Sequence, residues 1–138
     1  GRYRWILPKV GIKNNLILGA FFLFLAVAFG AFGAHVLKAK LTVKALETFH
    51  TGIRYQFYHG FALLVLAGIH TRLVQLKPKW SYRFFSLGII FFSFNCFIYA
   101  LSGIKFFAMI VPIGGVLFLL GWLNLIIRFK KDLWWNSF

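Results

Sequence analysis

The sequence predicts an all-α integral membrane protein: a four-helix bundle with an interfacial amphipathic helix between spans one and two. Three observations predict it. First, 61% of the 138 residues are hydrophobic and only 13% are charged, whereas soluble chains carry about a quarter charged residues. Second, four intervals contain no Lys, Arg, Asp or Glu: 24 residues from Asn14 to Leu37, 17 from Tyr55 to Thr71, 21 from Phe84 to Ile104 and 22 from Phe106 to Ile127. A spanning helix needs about 20 apolar residues to cross a hydrocarbon core roughly 30 Å thick. Third, the sixteen Lys and Arg cluster at the ends of these intervals, where headgroups would meet them. One membrane domain over 1–138 follows, with spans at about 15–37, 55–76, 84–104 and 106–127 and an interfacial helix at about 42–53. The mean hydropathy of +0.81 excludes a soluble core, because too few polar residues remain to cover it.

The amino arm, residues 1–13, mixes Arg2, Arg4, Lys9 and Lys13 with Tyr3 and Trp5, as expected at a water–lipid boundary. Pro8 opposes a long helix through it. A basic segment before an apolar run also fits a secretory signal, but the run is long for a signal core, so it is read as span one. That span is rich in small residues. Ala26, Gly30 and Ala34 recur every four positions with Gly33 beside them, a seam on which another helix backbone can close.

Between Lys38 and Arg54, Leu46, Phe49, Ile53 and Phe57 form an apolar stripe, with Glu47, His50, Thr51, Arg54 and Tyr58 on another face. This predicts a helix lying at the interface, started by Thr42 as its cap and bent at Gly52 into span two. Arg72 at the end of the second interval can snorkel, letting Leu73, Val74 and Leu76 lengthen the span. In span three, Asn95 needs a partner in hydrocarbon and is expected to face the bundle. Lys105 stands in a tight turn before span four, where Pro112 predicts a kink and Gly114 and Gly115 leave room for another helix to fill it. The tail sets Arg128, Lys130 and Lys131 beside Trp134 and Trp135 as an anchor.

Eleven Lys and Arg fall on the arm, the 72–83 turn and the tail, and five on the two other connections. The excess places both termini in the cytoplasm. Nucleic acid is not an expected partner despite the net charge of +14, since the cations sit at helix ends rather than on one solvated face. Membrane lipids and other membrane subunits, or further copies of the chain, are. Cys96 is the single cysteine, read as a small packing residue.

The candidate chemistry gathers in Gly30–His59. His35, Glu47, His50, Arg54, Tyr55, Gln56 and His59 form a polar group expected toward the non-cytoplasmic end. One reading is a metal, haem or quinone site, including haem held between His35 and His59. The other is a polar clamp between helices one and two, favoured because no metal-ligand spacing such as HExxH is present. With Glu47 and Asp132 the only acids, paired-carboxylate catalysis, a Ser–His–Asp triad and a carboxylate proton relay have no residues to run on. No catalytic residue, metal ligand set or cofactor is assigned.

Three ordered blocks resemble a known family: GAFGAH at 30–35, FHTGIRYQFYH at 49–59 and PIGGVLFLLGW at 112–122. They are similar to the signature blocks of domain-of-unknown-function family 423, over about residues 15–127. Span three departs from it, reading FSFNCF at 92–97 where that family usually shows Phe-Ser-Gly-Ser-Leu-Tyr. Phe94 therefore replaces a glycine, and that helix is expected to pack differently. The resemblance implies a four-helix integral membrane protein of a bacterial inner membrane with no reaction attached, and an enzyme is not expected. Three functions follow from the residues: a structural or accessory subunit, an oligomeric carrier lined by Asn95 and the Pro112 kink, or a redox subunit. The first is the expected one.

Overall fold

The computed structural model describes residues 10–134; the arm before Val10, and Trp135 in the tail, lie outside the described residues. Four long helices follow one another. They are α1 (Val10–His35), α2 (Val43–Arg72), α3 (Lys79–Ser102) and α4 (Lys105–Arg128), with a short 3-10 turn at Leu37–Ala39. No strand occurs among the described residues. Three stretches are long and apolar enough to cross a membrane: Gly11–His35, Lys79–Ser102 and Lys105–Leu133.

Helix α2 corrects the sequence reading at both ends. The expected interfacial helix at 42–53 is the beginning of one uninterrupted helix of 30 residues, about 45 Å long at 1.5 Å per residue. Gly52 does not bend it. It is buried, and a Cβ added there would lie 2.7 Å from the Phe97 ring, 2.9 Å from Cys96 Cβ and 3.0 Å from the Ser93 carbonyl. The missing side chain lets α2 close on α3. At the other end α2 stops at Arg72, and Leu73–Leu76 leave the helix, with Leu76 buried in the core.

Thr42 caps α2 as expected: its Oγ1 accepts the Ala45 backbone N–H at 3.1 Å. Thr42→Ala should lower stability by about 1 kcal/mol, read as a small drop in melting temperature in detergent. An unchanged melt would show that this end of α2 is held by packing alone.

Helix α3 is not a uniform α-helix. Ile89–Phe94 forms a wider π turn between the α-helical stretches Lys79–Gly88 and Asn95–Ser102. Such a turn disrupts the regular ladder and changes the course of the side chains after it. Gly103, with φ of 71°, then reverses the chain tightly into α4, a left-handed conformation that favours glycine. A second π turn, Phe129–Trp134, extends α4.

Helices α2 and α3 form the centre. Helix α1 lies along α2 and reaches α3 through aromatic edges, Phe22 on Phe94 and Phe29 on Phe97, with ring centroids 6.1 and 5.1 Å apart. Phe94, the bulky departure in span three, thus fills the joint between α1 and α3. Helix α4 runs antiparallel to α3 in alternating register. Phe92 of α3 packs over Gly114, Phe118 of α4 over Gly88, and Phe85 of α3 over Gly121. Only 22% of the most apolar window of α1 and 17% of that of α4 are buried, against 44% for α3. The outer faces of the two flanking helices are therefore open to the surroundings.

The predicted seam on α1 is partly displaced. Ala26 is fully buried, and Gly33 faces α2, where an added Cβ would meet the Phe49 ring at 2.9 Å. Gly30 has no neighbour within 4 Å of such an atom, and Ala34 is exposed. The close crossing of α1 and α2 is at Gly19 and Gly60 instead, with an added Cβ at Gly19 only 3.1 Å from the Gly60 carbonyl.

Candidate functional site: a histidine clamp between helices

The polar group of 35–59 does not stay together. Along α2 each residue advances about 1.5 Å, so Glu47 and His59 stand roughly 18 Å apart on the axis. His35, at the end of α1, and Glu47, in the first turns of α2, are exposed; His50 is half-buried beside Gly33. Arg54 donates to Thr51 Oγ1 at 3.0 Å, and Thr51 donates in turn to the Glu47 carbonyl at 2.9 Å. Among the described residues neither His50 nor Arg54 forms an ion pair with Glu47.

His59 sits deeper and belongs to a different neighbourhood. It is buried and packs with Phe85, six positions into α3, and with Phe118 and Trp122 on α4. Phe118 lies flat on the imidazole, centroids 3.6 Å apart and planes 9° apart, while Phe85 and Trp122 close two further sides at 5.4 and 5.8 Å. Both ring nitrogens are in use. Nδ1 donates to the Tyr55 carbonyl at 2.8 Å, and Nε2 accepts the Trp122 indole N–H at 3.0 Å. These partners assign the neutral tautomer with hydrogen on Nδ1.

The clamp was expected between helices one and two; His59 instead ties α2 to α4. The bond from α2 to α1 is made by Gln56, whose Nε2 donates to the Phe22 carbonyl at 2.6 Å. Gln56 Oε1 and Ser93 Oγ are buried without partners. Tyr55 remains more than a third exposed, its ring 4.6 Å from that of Phe92.

This geometry limits the chemistry His59 can perform. A ligand role needs a free lone pair, and the one on Nε2 is occupied by Trp122. Gly33 packs against Phe49, ten positions or about 15 Å of helix from His59, and His35 lies two residues beyond Gly33, so the two histidines are not brought together as a pair of haem ligands. No group of three or more His, Cys, Asp or Glu close enough to hold a metal occurs among the described residues.

Asn95 is half-buried, and its hydrogen-bond partners lie in its own helix. Its amide donates to the Phe91 carbonyl at 2.9 Å and the Ile90 carbonyl at 3.3 Å, satisfying acceptors within the π turn of its own helix. Pro112 is exposed in an otherwise continuous α4. Gly114 receives Phe92, whereas Gly115 meets that ring only at 3.9 Å or more. Cys96 is buried and free, in keeping with a packing role.

Two contacts were not foreseen. The Ser81 hydroxyl, buried in the first turn of α3, lies 2.9 Å from both the Gly121 carbonyl and Asn124 Oδ1. Asp132 accepts the Lys77 backbone N–H at 2.9 Å and pairs with Arg128 at 3.8 Å, tying the tail to the 73–78 connection. A signal for the first was available, since Ser81 and Asn124 are polar residues near opposite ends of neighbouring apolar runs. Trp122 also carried one: it stands six positions inside Arg128, deeper than a headgroup-level anchor needs.

Long apolar helices joined by interior polar bonds define an integral membrane protein. The chain belongs to the DUF423 family, whose model, described as a protein of unknown function, matches residues 29–115. It is 44% identical over 116 residues to a UPF0382 membrane protein of Staphylococcus saprophyticus, covering 84% of this chain and 96% of the relative. A UPF0382 membrane protein of Staphylococcus haemolyticus is 40% identical over 120 residues, 87% and 98% of the two chains. The UPF0382 inner membrane protein YgdD of Escherichia coli K12 is 39% identical over 119 residues, 84% and 91%. No solved structure matches the chain.

Proposed function

We propose that this is a four-span protein of a bacterial inner membrane, with both termini in the cytoplasm, acting without catalysis as an accessory or stabilising subunit of a larger membrane assembly. Helix α2 is the fourth crossing: at about 45 Å it exceeds the roughly 30 Å core, which leaves Glu47 outside the hydrocarbon at its start. The lysine and arginine excess supports the orientation, and the name of the E. coli relative supports the membrane.

One observation carries the accessory role. Ala34 is exposed and Gly30, one helical turn away on α1, has nothing within 4 Å of an added Cβ, while the His59 ring and the Gln56 amide nitrogen are engaged with their own chain. Small residues on a lipid-facing helix permit close approach of another backbone, so this face suits a neighbouring chain better than it suits a reaction.

Native mass measurement after extraction in mild detergent tests the reading. The wild-type chain, 15.9 kDa alone, is expected to run with partner chains, and Gly30→Leu with Ala34→Leu to release it as a folded monomer. A wild-type protein that is strictly monomeric in every mild detergent would overturn the proposal.

A further inference from the structure

Apart from the histidine clamp, the molecule has a groove of about 830 Å³ where α1 begins, α2 ends and α3 begins. Its size falls within the roughly 300–1,000 Å³ of sites that hold small molecules. Its walls are of two kinds. Ile12, Leu18 and Leu87 are among its apolar lining residues, and Lys77, Lys79 and Arg83 line it as well. No acid lines it. Asp132, which reaches the same connection, is engaged by the Lys77 backbone and Arg128. Arg83 is held in place, its guanidinium carbon 4.9 Å over the Trp80 ring.

We infer that this groove selectively binds an anionic phospholipid, the phosphate among Lys77, Lys79 and Arg83 and an acyl chain along Ile12, Leu18 and Leu87. The charge pattern chooses the occupant. Three exposed cations complement a negative headgroup, and the apolar residues that line the same groove suit an acyl chain. The amino arm of the same chain is a poor occupant, because it adds Arg2, Arg4 and Lys9 and no acid. A zwitterionic lipid offers the same tails but gains less from three cations.

The test is native mass spectrometry of the full chain reconstituted with equal amounts of phosphatidylglycerol and phosphatidylcholine. Each basic residue near a membrane surface contributes about a fivefold preference for anionic lipid. The wild type should therefore retain phosphatidylglycerol at least about tenfold over phosphatidylcholine. Lys77→Gln, Lys79→Gln and Arg83→Gln together should remove most of that preference. A control carrying Lys38→Gln, Lys40→Gln and Lys44→Gln loses the same charge at the opposite end and should keep it. Leu87→Trp, which fills the groove, should reduce retention while the melting temperature is preserved. A preference that survives the first triple change, or falls equally in the control, overturns the inference.

Discussion

Gly114→Ala is expected to leave little correctly packed protein, although alanine is the better helix former by about 1 kcal/mol. The added Cβ would meet Phe92 at its backbone nitrogen, with Cβ at 2.6 Å and Cα at 2.7 Å. A clash with a side-chain tip can be relieved by rotation; a clash with backbone requires one helix to move away from the other. Moving α4 off α3 also loosens Phe118 over Gly88 and Phe85 over Gly121, contacts set in the same register. Phe118 has little freedom to compensate, since it lies flat on His59. Overpacking of this kind costs about 1–3 kcal/mol or more, enough to outweigh the gain in propensity. The neighbouring Gly115→Ala is the control: the nearest Phe92 ring atoms lie at 3.9 and 4.0 Å, so it should be neutral or slightly stabilising. Melting in detergent and the monodisperse fraction on size exclusion separate the two. Equal behaviour of both variants would mean that α3 and α4 are not packed at this crossing.

The contrast between these two glycines also marks how far the sequence could be read. Charge-free intervals locate α1, α3 and α4, because hydrocarbon excludes charge over a fixed thickness. They do not locate the helix ends: α3 begins at Lys79, five positions before the apolar interval, since a basic residue in a first turn can still reach headgroups. The pair Gly114–Gly115 is visible as a place for close approach, but which glycine faces α3 depends on the rotation of α4. The split of the polar group at 35–59 follows from helical rise alone, once Gly52 is known to pack rather than bend. The partners of Asn95 are not legible in the sequence. A π turn frees carbonyls that an α-helix would have used, and nothing in the FSFNCF stretch announces it. Non-local partners, such as Trp122 for His59, 63 residues apart in sequence, need the register of two helices.

Trp122→Phe is the sharpest probe of the clamp, because it keeps an aromatic ring and removes one donor. His59 Nε2 would then be left without the indole N–H that satisfies it, and an orphaned buried acceptor costs about 1–3 kcal/mol. His59→Ala should cost more, about 3–5 kcal/mol, since the cavity it opens also removes the packing beneath Phe118 and beside Phe85. His59→Phe separates polarity from volume. Alone it strips the indole of its acceptor; combined with Trp122→Phe it leaves no unmet group at the joint, and replacing both members of a buried pair by apolar groups of similar shape can be nearly neutral. The double variant is therefore expected to be more stable than the sum of the two single losses predicts, by about 1 kcal/mol or more in a double-mutant cycle. It should also retain whatever partners the wild type carries through mild detergent. A strictly additive cycle would remove the His59–Trp122 bond as a source of stability. A stable double variant that has lost its partners would instead mean that the imidazole serves the assembly directly, not through the packing of α2 on α4.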